Sequence, residues 1–257
     1  TNFVLMEAGQ PLHAFDTKFI EGKKVVVRKA RKGEKFVTLD EVERELTPDD
    51  LMICNATNGM CIGGVFGGLT SGVTESTTDI FIESAHFHTA TIRKTSRYHG
   101  LQTDASFRFE RGSDPNITLW ALKRAAILVK ELAGGTVSSE IVDVYPEQIG
   151  NKVVTITYNN VDRLIGKSID PKVIRSILAD LGIQVVKEQA EGLVLSVPAF
   201  KADVTREADI IEEILRIYGY DNVEMPENLR VSLSFAQRPE PEKVRNMVAD
   251  MLTARGY

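Results

Sequence analysis

A segment near the C-terminal end constrains the fold most, because its pattern suits one kind of secondary structure. Residues 207–218 contain neither glycine nor proline. Their apolar side chains recur at the spacing that aligns them along one face of an α-helix. These side chains are Ile210, Ile211, Ile214, Leu215 and Tyr218. The sequence therefore predicts an amphipathic helix over residues 207–218.

The same segment is rich in acidic residues. Positions three and four residues apart are neighbours on a helix, so Asp209, Glu212 and Glu213 project close together, with Asp203 a few residues ahead. Like charges so placed repel each other unless a cation or a partner relieves them. Carboxylate oxygens suit hard ions such as Mg²⁺. Spacing alone leaves two interpretations open: a metal site, or a solvated acidic helix face, which is common.

Composition sets the broad class of the protein. The chain has 257 residues, a hydrophobic content of 43% and a mean hydropathy of −0.11, as in a soluble globular protein, and no apolar run is long enough to span a membrane. Cys54 and Cys61 are too few for a disulfide framework and fit no zinc motif, so a reducing cytoplasm is expected. A net charge of −5 gives no global nucleic-acid footprint but leaves room for a local basic patch.

The expected fold class is α+β, with two domains and the beginning of a third. Residues 1–147 read as a mixed α/β domain, and residues 152–223 as a small α+β domain. Residues 224–257 read as a linker and the truncated start of a further domain. Because the chain begins without methionine and ends as a helical pattern (residues 241–254) closes, we expect a piece of a longer protein.

The first domain is predicted from short runs rich in β-branched residues. Strands are expected at residues 3–7, 24–28, 51–54, 79–83 and 141–145. Residues 103–114 alternate apolar and charged residues, which is typical of a half-buried strand on which Asp104, Arg108 and Glu110 could pair.

Two helices are also expected in the first domain, at residues 89–98 and 115–132. The longer one has Asp114 as its N-cap, Pro115 at its first position and glycines after its end. Its apolar positions should form one face: Leu119, Leu122, Ala126, Val129 and Leu132.

The second domain alternates strands and helices. Strands are expected at residues 153–157, 184–187 and 193–197, and helices at residues 161–165, 171–181 and 207–218. Gly166 and Gly182 close the first two helices, and Asp170 with the following proline opens the second.

Three features of the first domain could carry chemistry. His13 lies in a polar island after an apolar run, where a hydrogen-bonded structural histidine is the commoner reading. Residues 63–68 contain two glycine pairs, which suit either tight bends or a wall that a ligand approaches closely. Glu83 ends an apolar run, either as a solvated charge or as an acceptor directed into a site. No Ser/His/Asp or Cys/His arrangement supports a nucleophile, and no P-loop or dinucleotide fingerprint is present.

The acidic segment resembles the B5 domain of the β subunit of bacterial phenylalanine–tRNA ligase. The shared pattern runs through Asp203, Asp209-Ile-Ile-Glu212-Glu213, Arg216 and Gly219-Tyr-Asp. The chain departs at Ala199, where the family usually has Ser, and at Lys201, where it usually has Arg, so a bidentate contact at that position is not expected. The resemblance implies that Asp203, Asp209, Glu212 and Glu213 bind a Mg²⁺ shared with the α subunit.

The first domain resembles the B3/B4 domain of the same subunit. The matching motifs are Thr1-Asn2-Phe-Val-Leu-Met-Glu, Gly9-Gln-Pro-Leu-His13-Ala-Phe-Asp16, Thr38-Leu-Asp40, Gly64-Val-Phe-Gly67-Gly68, Glu83-Ser-Ala-His-Phe and Thr103-Asp-Ala105-Ser-Phe-Arg-Phe-Glu-Arg-Gly. Glu41 stands where the family tends to have Gly. The two resemblances cover residues 1–222, in the family's domain order.

The resemblance implies that the first domain is an editing module, which hydrolyses tyrosine wrongly attached to the tRNA for phenylalanine. A pocket shaped for Phe rejects Tyr poorly, so a second hydrolytic site discriminates again. By resemblance, Glu83 accepts the tyrosine hydroxyl, and Gly67, Thr103 and Ala105 line the amino-acid pocket. His13, with Thr1 and Asn2, is expected near the ester and the terminal adenosine. We expect a positioned water, rather than a side chain, to attack the ester.

The whole ligase is expected to join Phe to tRNA with ATP and Mg²⁺ as an α₂β₂ heterotetramer. By resemblance, ATP is used at the α subunit and not in this piece. The alternative function is a non-catalytic scaffold that docks tRNA and the α subunit. A free-standing editing protein is disfavoured by the attached second and third segments.

Overall fold

The computed structural model describes residues 1–224 and 240–257. The chain divides into two compact units, Thr1–Tyr220 and Asp221–Tyr257. The first unit contains the first predicted domain and all but the last three residues of the second, and its mixture of helices and small sheets confirms the α+β class. The part of the predicted linker at residues 225–239 lies outside the described residues. Among those described, no helix is both long and apolar enough to cross a membrane.

The first domain begins and ends with helices around short antiparallel strands. Its elements are α1 (Asn2–Ala8), β1 (Leu12–Asp16), β2 (Val26–Lys29), β3 (Lys35–Val37), β4 (Glu43–Glu45), β5 (Leu51–Cys54), β6 (Gly59–Ile62), β7 (Phe66–Gly67), β8 (Ile80–Ser84), α2 (Thr89–His99), α3 (Asp104–Phe109) and α4 (Thr118–Ala133). The predictions at residues 24–28, 51–54, 79–83 and 89–98 are confirmed to within one or two residues.

Three small sheets enclose the core of this domain. Strands β2, β5, β6 and β7 form a four-stranded antiparallel sheet in the order β2-β5-β6-β7, β3 pairs with β4, and β1 pairs with β8. The side chains of Phe15, Met52, Ile62 and Ile92 are almost fully buried between them. Alternation along β2, in which every second residue is exposed, fits a sheet with one face toward this core.

The second domain packs three helices against one sheet, as predicted. Its elements are β9 (Lys152–Thr157), α5 (Tyr158–Ile165), α6 (Pro171–Asp180), β10 (Gln184–Gln189), β11 (Gly192–Val197) and α7 (Glu207–Tyr218). The strand order is β10-β11-β9. Helix α7 begins and ends at the predicted residues, and its stripe of Ile210, Ile211 and Ile214 is buried. The second unit contains α8 (Pro241–Ala254), also as predicted.

The prediction of a strand at residues 3–7 is wrong, because this segment is helix α1. Gly9 adopts a left-handed conformation after the helix and donates its N–H to the carbonyl of Leu5, which closes the last turn. Val4 and Leu5 are buried, with Val4 packed beside Ala121 and Ala125 of α4. Tertiary packing and a glycine C-cap thus override the β-propensity of the run.

The prediction of a strand at residues 103–114 is also wrong. Thr103 and Ser106 form a reciprocal capping box, in which each side chain accepts the backbone N–H of the other, and α3 follows. Glu110 pairs with Arg111, its neighbour in sequence, instead of with a cross-strand partner. Local side-chain bonds to the backbone decide the conformation here, although the alternation of charges suggested a sheet.

Helix α4 begins at Thr118 instead of residue 115. Asp114 caps a turn through Asn116 rather than the helix itself. The end at Gly134 is as predicted, but the fully buried face of α4 carries Ala121 and Ala125. The predicted stripe is not this face; its member Leu132 is 85% exposed. Residues 141–145, within the described stretch that follows, form no strand, because no neighbouring strand pairs with them.

Gly68, which directly follows β7, gives a test of packing in this domain. A Cβ there would lie 2.6 Å from the carbonyl oxygen of Met60 and 2.6 Å from Phe36, whereas a Cβ at Gly72 would meet only Leu39 at an ordinary 3.7 Å. We expect Gly68→Ala to lower the free energy of unfolding by about 1–3 kcal/mol, with little effect from Gly72→Ala. Urea unfolding of both variants measures this, and equal losses would contradict the packing shown here.

Candidate functional site

A cavity of about 440 Å³ lies between β1, β6, β7, β8 and the N-terminal turns of α1 and α3. All seven residues assigned by resemblance to the amino-acid and ester site line it: Thr1, Asn2, His13, Gly67, Glu83, Thr103 and Ala105. They come from five separate stretches of sequence. The structure therefore brings this predicted set together at one place, although it does not test their individual roles.

His13 and Glu83 form one wall of the cavity. They are directly opposite each other in the antiparallel pairing of β1 with β8, so their side chains project to the same face. The His13 ring packs edge-on against Phe15, with 4.5 Å between ring centroids. His13 Nε2 and Glu83 Oε2 are both buried and have no hydrogen-bond partner in the protein. Both line the cavity, so each is available to a polar ligand.

Burial shifts the ionisation of both groups toward neutrality. It raises the pKa of Glu83 from 4.5 to about 7 and lowers the pKa of His13 below its usual 6.5. A neutral imidazole can accept a proton from water, and a carboxyl group near its pKa can accept or donate a hydrogen bond. The wall thus combines a base with a buried carboxyl group that changes charge near neutral pH.

Glycines form part of the cavity lining, and Gly67 lies next to His13. A Cβ on Gly67 would lie 3.1 Å from His13 Cε1 and 2.9 Å from Leu39 Cδ1, so a larger residue would press on the histidine ring. Gly64 has a φ of +69° and lies against Phe87, Ile92 and Phe109. The structure confirms a tight bend at Gly64 and places Gly64 and Gly67 in the cavity lining, while close approach by a ligand stays a prediction.

Thr103 acts in the local structure as well as lining the cavity. Its hydroxyl donates to the carbonyl of Val65 at 2.9 Å and accepts the N–H of Ser106 at 3.0 Å. These bonds tie the start of α3 to the glycine-containing turn. They place Asp104 and Ala105 at the cavity, which makes Thr103 a positioning residue for that wall.

Sequence reasoning missed several residues that complete the cavity. Leu39 comes from the tip between β3 and β4, Cys61 from β6, and Phe87 and Phe109 pack edge-to-face with 4.8 Å between centroids. Leu39 lies inside the Thr38-Leu-Asp40 motif, which was a usable signal. Cys61 gave none, because a buried cysteine in a strand looks like any other core residue.

The remaining histidines contact other protein groups. His99 Nε2 lies 2.9 Å from Asp50, a fully buried carboxylate that also accepts a hydrogen bond from Thr95. His86 contacts Ser113 and His88 contacts Thr91. The two partners of His99 outside its own helix are 49 and 55 residues away in sequence. Only the folded structure brings them to His99.

The four acids of the second domain do not converge on one point. Asp209 accepts hydrogen bonds from the backbone N–H groups of Thr205 and Arg206, and it pairs with the Arg206 guanidinium at 2.8 Å. These partners hold the pKa of Asp209 well below its usual range. The carboxylate thus serves as a cap for α7.

Glu213 is engaged by two cations. It pairs with Lys201 at 2.6 Å, where both side chains are largely buried, and with Arg216 at 3.0 Å. The Arg216 and Lys201 hydrogen bonds lower the pKa of Glu213. Asp203 and Glu212 are exposed. Within residues 1–224 and 240–257, no three acidic, histidine or cysteine residues are grouped to hold a metal ion. The carboxylates are ligands that suit Mg²⁺, but their present arrangement does not form its site.

Comparisons with known proteins agree on the kind of domains present. A family model described as the B3/4 domain matches residues 1–134, and one described as the tRNA synthetase B5 domain matches residues 154–220. A Bacteroides fragilis protein named phenylalanine–tRNA ligase beta subunit is 54% identical over 258 residues, which cover 100% of this chain and 32% of that protein. A protein of the same name from Porphyromonas gingivalis is 49% identical, with the same coverage.

A solved structure is also similar. It is the crystal structure of an N-terminal fragment of the phenylalanyl-tRNA synthetase beta-subunit from Pyrococcus horikoshii, with a TM-score of 0.44 and 17% identity, covering 85% of this chain and 62% of that one. The chain spans about a third of the length of the curated relatives it matches.

The pKa of Glu83 predicts a dependence of stability on pH. The folded protein binds the Glu83 proton more tightly than the unfolded chain does. The contribution of protonated Glu83 to the free energy of unfolding is therefore full below pH 4.5 and is lost as the pH rises through about 7. We expect the unfolding free energy of the natural protein, relative to Glu83→Gln, to fall across this interval and level off above it. Urea unfolding at several pH values measures the difference, and a pH-independent difference would show that Glu83 ionises normally.

Proposed function

Because the chain belongs to the family of phenylalanine–tRNA ligase beta subunits and carries their B3/4 and B5 domains, we propose that its cavity hydrolyses tyrosine from misacylated phenylalanine tRNA. The observation that carries this proposal is the pair of unpartnered polar atoms, His13 Nε2 and Glu83 Oε2, facing a cavity of about 440 Å³. His13 Nε2 would act at the ester, and Glu83 Oε2 would contact the side chain of the amino acid.

Glu83 supplies the selectivity in this proposal. A buried carboxyl oxygen without a partner costs about 1–3 kcal/mol. Tyrosine would satisfy it through its phenolic hydroxyl, whereas phenylalanine would leave it unpaired. This difference favours tyrosine at a site where shape alone would separate the two poorly. The apolar lining, including Phe87 and Phe109, suits the ring that both amino acids share.

His13 positions the attacking water in this proposal. Its burial keeps the imidazole neutral near pH 7, so Nε2 can accept a hydrogen bond from water and take its proton as the ester carbonyl is attacked. The oxygen of that water forms the new bond to the carbonyl carbon, and the bond from this carbon to the ribose oxygen breaks. The proton taken up by His13 passes to the ribose oxygen, so the tRNA leaves with a free hydroxyl and tyrosine is released. Thr1 and Asn2, at the start of α1, line the cavity where the terminal adenosine would enter.

The absence of a side chain at Gly67 leaves the His13 imidazole in its position. A Cβ at this position would press on both His13 and Leu39, so the absence of a side chain leaves room for the imidazole and for the substrate beside it. Ala105, which also lines the cavity, is small as well. These two residues leave the amino-acid part of the cavity open while the backbone approaches the ligand closely.

The activity of the complete ligase is part of the same proposal. We propose that the complete subunit joins the α subunit in an α₂β₂ heterotetramer in the cytoplasm and binds the tRNA for phenylalanine. The assembled enzyme would use ATP and Mg²⁺ to charge that tRNA with Phe, with ATP held outside this part of the chain. The two domain matches and the identity to full-length beta subunits support this assignment.

A Mg²⁺ site at Asp203, Asp209, Glu212 and Glu213 is proposed with one condition. Asp209 and Glu213 are already neutralised by neighbouring cations, so a metal ion has to compete with Arg206, Arg216 and Lys201. The α subunit would supply the ligands or the rearrangement that makes this exchange favourable. Of these four acidic residues, Asp203 and Glu212 are the two that are exposed.

Glu83→Ala tests the proposed editing reaction. We expect the full-length enzyme with this change to lose about ten- to a hundredfold of its preference for Tyr-tRNA over Phe-tRNA, because one hydrogen bond to a buried acceptor contributes about 1.5–3 kcal/mol when charge is involved. Hydrolysis of the two aminoacyl-tRNAs measures the preference. Aminoacylation with Phe serves as the control and should be unchanged.

The non-catalytic alternative predicts a different result. If the natural enzyme hydrolyses neither ester, the cavity is inactive and the domain acts as a scaffold. If Gly67→Ala and His13→Ala leave hydrolysis intact, the water-positioning role assigned to this wall is wrong.

Magnesium binding gives a separate test. We expect Mg²⁺ to have little effect on the melting temperature of this chain alone, and to stabilise the complex with the α subunit. Glu212→Gln should weaken the second effect without changing the fold, since Glu212 is exposed. Melting curves with Mg²⁺ and with chelator measure both. A strong effect on the isolated chain would show that the internal cations are easily displaced.

A further inference from the structure

We propose that Phe107 and Arg111 form a stacking platform for an unpaired nucleobase next to the cavity, an inference that rests on the proposed function. Both residues lie on or just after α3, whose first turn contributes Asp104 and Ala105 to the cavity lining. The platform would take a base from the single-stranded end of the RNA whose terminal ester enters the cavity.

The Arg111 guanidinium is held as a flat surface. Its central carbon lies 3.6 Å from the centroid of the Phe107 ring, so the group stacks on one face of that ring. One of its nitrogens donates to the Phe107 carbonyl at 3.1 Å and to Glu110 Oε1 at 2.7 Å. A surface arginine is usually free to move, and these contacts instead fix both the position and the plane of this one.

The platform is exposed although it is fixed. Phe107 is 51% exposed and the Arg111 side chain is 55% exposed, so the face of the guanidinium away from the ring points to solvent. Unstacked RNA bases bind to aromatic rings and to arginine planes of this kind. A second aromatic–arginine pair near the cavity, Phe3 with Arg124, is looser, with 5.9 Å to the ring centroid.

The position of the platform fits a nucleotide close to the end of the strand. Phe107 lies two residues after Ala105 on α3, a rise of about 3 Å along the helix, and Arg111 lies two residues after the last helical residue, Phe109. The backbone just after Arg111 packs closely against the second domain. Gly112 has a φ of +100°, and a Cβ on it would lie 2.5 Å from the Cβ of Ala202. A base on the platform would therefore precede the nucleotide that carries the ester.

The charges around the platform match an RNA backbone. Arg108 is exposed on the same helix, and Arg93 and Arg97 are exposed on α2, which packs against α3. Arg93 also donates to the Glu110 carbonyl at 2.8 Å, which links the two helices. The local excess of cations, in a chain with a net charge of −5, favours a polyanion such as an RNA backbone over a neutral protein surface.

The experiment measures stacking directly in the full-length subunit with its α partner. The probe is tRNA with a fluorescent cytidine analogue in the penultimate position, whose emission falls when the base stacks. Arg111→Lys keeps the charge but loses the plane, and Phe107→Leu keeps an apolar side chain but loses the ring. Arg31→Lys is the control, at an exposed position between β2 and β3.

We expect the natural protein to quench the probe, and Arg111→Lys and Phe107→Leu to abolish the quenching and weaken tRNA binding about five- to a hundredfold. The salt dependence of binding should not change, since neither substitution removes a charge. The control should behave as the natural protein. Quenching that persists in both variants, or natural protein that binds tRNA without quenching, overturns the platform.

Two further results separate this inference from the proposed function. If the natural protein quenches the probe but does not hydrolyse Tyr-tRNA, the hydrolysis proposal fails and the platform stands. If both variants impair assembly with the α subunit while quenching is unchanged, the surface is a protein contact and the platform is refuted.

Discussion

The antiparallel pairing of β1 with β8 is the interaction on which the cavity depends. It sets His13 opposite Glu83, and a slip of one residue would turn one of them to the other face of the pair. Gln10 is fully buried and donates to the carbonyl of Ala85 at 2.7 Å, which closes the end of this ladder next to the cavity. Pro11, also buried, leads directly into β1. The register is thus fixed by contacts beyond the strands themselves.

The same burial that fixes the wall leaves two of its polar atoms without partners in the protein. Glu83 and His13 each have a polar atom without a partner, and such atoms destabilise the fold unless a ligand binds them. The surrounding core, which includes Met52 and Ile62, offsets this cost because it is tightly packed and apolar. Places where local physical rules are broken, in an otherwise well-satisfied structure, are where function is expected. The shifted pKa values follow from the same exclusion of water.

In the second domain the acids are used differently. Asp209 caps α7 and Glu213 pairs with Lys201, so two of the four carboxylates contribute to the fold itself. Lys201 stands where the related family usually has arginine, and a single ammonium at 2.6 Å suffices for this contact. A divalent ion at the same carboxylates would replace these cations. The proposed metal binding would therefore be linked to the local stability of α7, and the α subunit would determine the balance.

The sequence by itself determined what depends on neighbours along the chain. The period of apolar residues defined α7, the Asp170 cap and the following proline opened α6, and the motifs around His13 and Glu83 marked the residues of the cavity. Only the tertiary structure decided the rest. Residues 3–7 became helix because Val4 packs on α4, and Leu39 and Cys61 reached the cavity from distant strands. Propensity acts over a few residues, whereas burial, strand register and pKa depend on contacts between segments far apart in sequence.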